Sequence, residues 1–179
     1  MLIVYASRYG QTEKIARRIA EIAGDGRAVP LSEADDVHLE QYDALIVAGG
    51  VYFGRHERAL EAWVKQRLAV MSGMETAFVS VSGGASETYA HDFSRRTGWV
   101  PEIYATFRGG TAFTKYGFLL RLMMWAISRQ HGARLSMRRD YEFTDWSSVD
   151  RFARDFAGYV SAAIAARCGA GFSPSAARG

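Results

Sequence analysis

The sequence predicts an α/β domain in which a doubly wound, five-stranded parallel sheet is covered by helices on both faces. Three observations predict it. Short runs rich in Val, Ile and aromatic residues recur at 2–6, 44–48, 76–81 and 102–107, apolar throughout rather than alternating. Such runs suit strands buried on both faces, the usual situation in a parallel sheet. Between them lie stretches with helical spacing of apolar residues, and alternating strand and helix implies right-handed crossovers within one sheet. Finally, the first three of these runs are each followed closely by glycine, which gathers permissive turns at one edge.

Taken in order, the first strand ends at Ala6 and the first helix begins near Gln11. Ile15, Ile19 and Ile22 with Ala16, Ala20 and Ala23 form an apolar stripe opposite Lys14, Arg17, Arg18 and Glu21. Gly24-Asp25-Gly26 stops that helix, and Ala28-Val29-Pro30 reads as a short second strand. A later helix carries Leu60, Trp63, Val64 and Leu68. The last runs from about Trp146 through Phe152, Phe156 and Val160, with Asp145 or Thr144 as its cap. A length of 179 residues suits one domain with a sizeable core, spanning 1–168. The Gly-, Ala- and Ser-rich tail, 169–179, is expected to be disordered.

Composition narrows the function classes. A 49% hydrophobic and 23% charged chain is ordinary for a globular protein. Cys168 stands alone, which leaves no internal disulfide and argues against a cysteine-based metal site. The start lacks a secretory signal pattern, and no apolar run approaches the roughly 20 residues that span a bilayer. A cytoplasmic location is the expectation. His56 and His91 have no second ligand at metal spacing, so no metal is expected; His56 reads as a surface residue, with proton donation near a cofactor as the alternative.

The turn after the first strand carries the sharpest chemistry. Ser7-Arg8-Tyr9-Gly10-Gln11-Thr12 aims backbone N–H groups at one point beside the positive end of a helix, which suits an anion. Ser7 and Thr12 add hydroxyl donors, and Gly10 permits close approach. The alternative is that Ser7 merely caps the helix. The chain has neither Gly-x-Gly-x-x-Gly at this turn nor a Gly-x-x-x-x-Gly-Lys-Ser/Thr loop, which disfavours dinucleotides and nucleoside triphosphates. A single terminal phosphate fits better. The second loop, Gly49-Gly50-Val51-Tyr52-Phe53-Gly54, offers close backbone approach and an aromatic ring to stack on a flat ligand. The third, Ser82-Gly83-Gly84, offers N–H groups to its polar edge. Ligands of such folds lie outside the carboxyl ends of the strands, and five strands with this first turn fit the flavodoxin-like order better than the six-stranded dinucleotide fold. The expected cofactor is FMN, held by Ser7 to Thr12, Gly50 to Gly54 and Ser82 to Gly84.

One segment does not belong to a plain domain of this kind. After 102–107, residues 108–138 form a basic, apolar helical insert before the last helix. From Arg108 to Arg139 there are seven basic residues and no acidic one, whereas the rest of the chain is net acidic although the whole carries +3. Phe118 to Ile127 is apolar on every helical face except at Arg121, so it is buried in protein or set against something apolar. Tyr116 and Trp125 beside basic residues suit a lipid interface with anionic headgroups; a core helix flanked by arginines is the alternative. No nucleic-acid module surrounds the stretch.

The phosphate turn, Tyr52-x-Gly54, this insert, Tyr141-x-x-Thr144-Asp145-Trp146 and Phe152-Ala153-Arg154 together resemble the menaquinone-dependent protoporphyrinogen oxidases of bacteria, over nearly the whole chain to about residue 165. The resemblance implies a flavodoxin-like FMN enzyme that takes electrons from protoporphyrinogen IX and passes them to menaquinone or another quinone at the cytoplasmic face of the inner membrane. It also implies that Lys115, Arg121 and Arg129 pair with propionates while Phe118, Leu122 and Trp125 contact macrocycle or lipid. Deleting 108–135 is then expected to abolish porphyrinogen oxidation and leave FMN bound. Two rivals are an FMN quinone reductase with a nicotinamide donor and a flavodoxin-type electron carrier, the latter disfavoured by a pI near 9.1.

Overall fold

The structure is a computed structural model that describes residues 1–115, 117–118, 122–123, 125, 136 and 138–170, the side chains of 169 and 170 excepted. Five strands, β1 (Leu2–Ala6), β2 (Arg27–Pro30), β3 (Ala44–Gly50), β4 (Glu75–Ser82) and β5 (Ile103–Arg108), form one sheet in the order β2-β1-β3-β4-β5, every neighbour parallel. The doubly wound expectation holds, because consecutive residues of each strand serve opposite cores. Leu2 and Val4 of β1, Val47 of β3 and Phe78 of β4 face α2 (Arg58–Met71) and α3 (Glu87–Thr97). Ile3, Tyr5, Ile46 and Val79 face α1 (Gln11–Ala23) and α4 (Trp146–Ala170). Burial on both faces is why these strands lack polar alternation.

The helices follow their apolar stripes. In α1, Ile15, Ala16 and Ile19 are buried, and Gly24 ends it with φ 79°. In α4, Val149, Ala153 and Phe156 are buried. Asp145 caps α4, its Oδ1 accepting the N–H groups of Ser147 (3.0 Å) and Ser148 (3.3 Å). Thr144 does something else: its Oγ1 accepts from Gln11 Nε2 and donates to the Arg108 carbonyl, each at 2.8 Å.

The pattern reading missed α3, the short 3-10 turns and a small antiparallel pair of β6 (Gly110–Thr111) and β7 (Tyr141–Glu142). This pair brings the two ends of the insert together. Thr114 strengthens that closure by donating its backbone N–H to Asp140 Oδ1 at 2.8 Å. Phe118, Leu122, Met123 and Trp125 have helical backbone, as the insert's composition predicts. Arg121 and Arg129 lie outside the described residues, as do Tyr116 and the tail from 171; α4 itself extends to Ala170.

Candidate functional site

The parallel register puts the turns after β1, β3, β4 and β5 at one edge of the sheet. At the first, Gly10 takes φ 93°, a left-handed conformation that lets the chain swing from strand into helix. Its N–H donates to Ser7 Oγ at 3.1 Å, so Ser7 closes the loop and Gly10 is the N-cap residue of α1. The first-turn amides of α1 have no intrahelical acceptor and face the same edge as the helix's positive end. Thr12 is buried at this turn.

The second turn decides which aromatic faces the loop. Tyr52 and Arg55 exchange backbone bonds of 2.8 and 3.2 Å around Phe53 (φ 52°) and Gly54 (φ 75°). That tight reversal sends Phe53 outward, 78% exposed, and folds Tyr52 inward. The Tyr52 hydroxyl accepts the N–H of Arg8 at 2.9 Å. The Arg8 guanidinium covers the Tyr52 ring at 5.1 Å and pairs with Glu57 at 3.2 Å. Burial raises the Tyr52 pKa above its ordinary value, so the phenol stays protonated and keeps a proton to donate.

A cavity of about 270 Å³ opens between these turns and the ends of β4 and β5. Tyr9, Gln11, Thr12, Gly50, Val51, Tyr52, Phe53, Ser82 and Gly83 line it, which unites most of the predicted cofactor residues. Gly109, Gly110, Thr111 and Met123 also line it and were not predicted as cofactor residues. The Gly109-Gly110 pair was visible as the end of a fourth strand, but it was absorbed into the insert. Arg8, Gly10, Gly54 and Gly84 do not line the cavity; the Arg8 N–H holds the Tyr52 hydroxyl, and Gly10 borders an adjoining space with Lys14 and Lys115. Ser7 instead borders a larger space of about 650 Å³ on the β2 side, lined by Leu31, Trp63 and Gln66. That space has no glycine-flanked strand end except the phosphate turn itself, so the smaller cavity suits a flat ligand better.

Several glycines are required by the cavity walls. A Cβ at Gly50 would stand 2.8 Å from Tyr52 Oη and 3.0 Å from Thr12 Oγ1. One at Gly109 would stand 3.1 Å from Val81 Cγ1. Ser82 Oγ, in the wall, is buried and has no hydrogen-bond partner among the described residues. An orphaned hydroxyl in a cavity wall is compatible with a polar group supplied from outside the chain.

The histidine that follows the second turn is not on the surface, contrary to expectation. His56 is 2% exposed, edge-on to Phe78 and Phe93, with Nε2 3.3 Å from Ser80 Oγ. Burial pushes its pKa down to about 4, and it does not line the cavity. Gly49 makes room for it, since a Cβ there would stand 2.9 Å from His56 Nδ1.

Around the insert, Phe118 is 79% exposed, Leu122 and Met123 are exposed, and Trp125 is half-buried. Lys115 reaches the phosphate turn, its Nζ donating to the Tyr9 carbonyl at 3.0 Å. No helix among the described residues is long and apolar enough to cross a membrane.

A model of the flavodoxin domain matches residues 2–136. Among curated proteins, protoporphyrinogen IX dehydrogenase [quinone] of Escherichia coli (strain K12) is 26% identical over 169 residues, covering 87% of this chain and 93% of that protein. A protein of the same name from Leishmania major is 26% identical over 170 residues, covering 87% of this chain and 74% of that one. Among solved structures, an archaeal flavodoxin superposes with a TM-score of 0.56 at 16% identity, covering 89% of this chain and 97% of its own. The rubredoxin oxygen:oxidoreductase of Desulfovibrio gigas superposes at 0.53 with 14% identity, over 92% of this chain and 36% of its own. Sheet order and sequence agree: the chain belongs to the flavodoxin-domain family, and it is related over most of its length to proteins named protoporphyrinogen IX dehydrogenase [quinone].

Proposed function

We propose that this protein binds FMN and oxidises protoporphyrinogen IX, passing the electrons to a membrane quinone, menaquinone being the acceptor that its motifs imply. The residues of the cleft fit the cofactor. One amide of the loop already donates to an oxygen, Arg8 N–H to the Tyr52 hydroxyl at 2.9 Å, and the first-turn amides of α1 would donate to a phosphate oxygen in the same way. Ser82 Oγ is an unpartnered hydroxyl in the cleft wall, and Gly50 and Gly109 let Tyr52, Thr12 and Val81 close up in that wall without a clash. Bound FMN supplies the two-electron chemistry.

The chain's own residues then bind and orient. Ser7, Gly10, Gln11 and Thr12 hold the phosphate; Val51 to Gly54 and Ser82 to Gly84 hold the ring. The observation that carries the reading beyond a plain flavin carrier is the placement of the insert. Met123 lines the cleft while Phe118 and Leu122 on the same insert stand exposed, and the insert ends in the exposed pair Arg138 and Arg139. A greasy, basic wall beside a flavin suits an apolar macrocycle bearing propionates, and it suits a quinone that resides in lipid. The relatives' shared name supports the same substrate and acceptor. Oxidation to the porphyrin removes six electrons and six protons, which three quinones take up as three quinols. His56 is sequestered from the cleft, so no proton step is assigned to it.

The test is anaerobic mixing of FMN-loaded protein with protoporphyrinogen IX, with and without a menaquinone analogue. Flavin bleaching followed by quinone-dependent porphyrin fluorescence is expected. A flavin that stays oxidised with protoporphyrinogen yet bleaches with NADH or NADPH overturns the reading in favour of a nicotinamide-linked quinone reductase.

A further inference from the structure

We propose that Lys115, carried by the insert, is a positioning residue for the phosphate turn and makes the protein discriminate FMN from riboflavin; this rests on the FMN reading above. Lys115 Nζ donates to the Tyr9 carbonyl at 3.0 Å and would stand 3.4 Å from a Cβ at Gly10. That carbonyl belongs to the Tyr9–Gly10 peptide, whose N–H donates to Ser7 Oγ at 3.1 Å. Ammonium, peptide and hydroxyl therefore form one directed chain, in which each bond polarises the next. Ser7 Oγ acts as acceptor within that chain, so its own O–H is the donor left for an incoming anion. A positive charge at the far end strengthens this donor for a phosphate and does nothing comparable for a neutral ribityl hydroxyl.

The neighbouring cations are committed elsewhere. Arg8 pairs with Glu57 at 3.2 Å, and Lys14 with Glu142 at 2.8 Å. Asp140 lies close to Lys115, but the backbone and hydroxyl of Thr114 are what chiefly hold its carboxylate below the usual range, with Lys115 a lesser contribution. Among these three cations Lys115 is the one bonded to the loop's backbone. Its own position is fixed in advance. It closes a 3-10 turn, Phe113–Lys115, in which Phe113 is fully buried and Thr114 is bound to Asp140. Phosphate occupancy and docking of the insert's base are thereby coupled, and the coupling runs both ways.

The experiment measures FMN and riboflavin dissociation constants by flavin fluorescence quenching, on the full chain and on Lys115→Gln and Lys115→Arg, at low and moderate salt. Circular dichroism confirms that each variant is folded. Lys115→Gln is expected to weaken FMN about 10-fold, the lower end for a charge-assisted bond at an exposed site, and to leave riboflavin within about 2-fold. Lys115→Arg is expected to recover most of the FMN affinity, and the salt dependence of FMN binding is expected to shrink in Lys115→Gln. Equal losses for both flavins, or no loss for either, overturn the proposal while the wild type still binds FMN. A wild type that binds neither flavin, or riboflavin as tightly as FMN, overturns the cofactor reading itself.

Discussion

His56 offers a prediction whose size follows from its surroundings. The ring is 2% exposed, wedged edge-on against Phe78 and Phe93 at 5.1 and 5.3 Å, and burial lowers its pKa from 6.5 to about 4. In the unfolded chain the imidazole titrates near 6.5. Between those two values the unfolded state binds more protons than the folded one, so acid pulls the equilibrium toward unfolding. Stability from this site is whole above the unfolded pKa and is lost progressively as pH falls to about 4. Between pH 7.5 and pH 5 the loss is about 2 kcal/mol, from the difference in protonation of the two states. The assay is urea unfolding at pH 7.5, 6.0 and 5.0, comparing wild type with His56→Gln and His56→Leu. Each variant is expected to be less stable at neutral pH, yet to lose about 2 kcal/mol less than wild type on acidification. Parallel pH slopes in all three proteins, or an imidazole resonance that titrates near 6.5 in the folded protein, refute the reasoning. Because the neutral ring faces the core, flavin reduction in His56→Gln is expected to keep its wild-type pH profile.

Three further outcomes follow from the geometry. Gly50→Val places a branched side chain against Tyr52 Oη and Thr12 Oγ1, where the first carbon alone would stand 2.8 and 3.0 Å away, and flavin fluorescence titration should show FMN affinity falling at least 10-fold, as about 1.4 kcal/mol of lost binding requires. Asp145→Ala removes the acceptor of two α4 amides and lowers the thermal midpoint, and acid titration of the wild type should show that cap failing only as pH drops toward about 2, where hydrogen bonds from Ser147 and then Ser148 hold its pKa. Replacing Phe118 and Leu122 by Ser should abolish sedimentation with phosphatidylglycerol vesicles without changing FMN affinity, since both side chains are exposed and neither lines the cofactor cavity.

The sheet was legible because its strands are apolar on both faces, and the sequence records that as apolar runs at the three central strands and at the edge strand β5. Helix α3 was not, because Ala90 and Phe93 are its only fully buried apolar residues and Ser94 and Thr97 complete the buried face. Strands of two residues, as in β6 and β7, lie below any detectable period. At the site, the residue types were legible but their directions were not. Tyr52 and Phe53 are adjacent aromatics, and either one reads as a ring to stack on a flavin. The reversal at Phe53 and Gly54 alone decides that Phe53 points outward while the Tyr52 hydroxyl meets the phosphate turn. His56 was misread for the same reason. Its burial depends on Gly49, which clears the space behind it, and on Phe93, which comes from a helix that the periodicity did not reveal.

The insert also proves less separable than its composition implies. A deletion of 108–135 is expected from the sequence to spare FMN, yet Gly109, Gly110 and Thr111 line the proposed cofactor cavity and Lys115 bonds the turn after β1. Removing them exposes the end of β4, where Ser82 O accepts the Gly109 N–H at 2.9 Å, and strips β7 of its partner strand. That deletion is therefore expected to lose the cofactor together with the activity, and it tests nothing about the substrate. A narrower cut separates the two. The base of the insert is self-closing, through the pairs Gly110–Glu142 and Thr111–Tyr141 and the Thr114–Asp140 bond, so the chain on either side of 117–135 is already held together. Replacing 117–135 with a flexible linker of about six Gly and Ser residues costs little closure entropy in that setting. Such a variant is expected to bind FMN within about 3-fold of wild type, a difference under 1 kcal/mol, while losing protoporphyrinogen oxidation. Equal loss of FMN and activity would mean that the apolar segment builds the cofactor site; undiminished oxidation would mean that substrate and quinone are met elsewhere on the sheet edge.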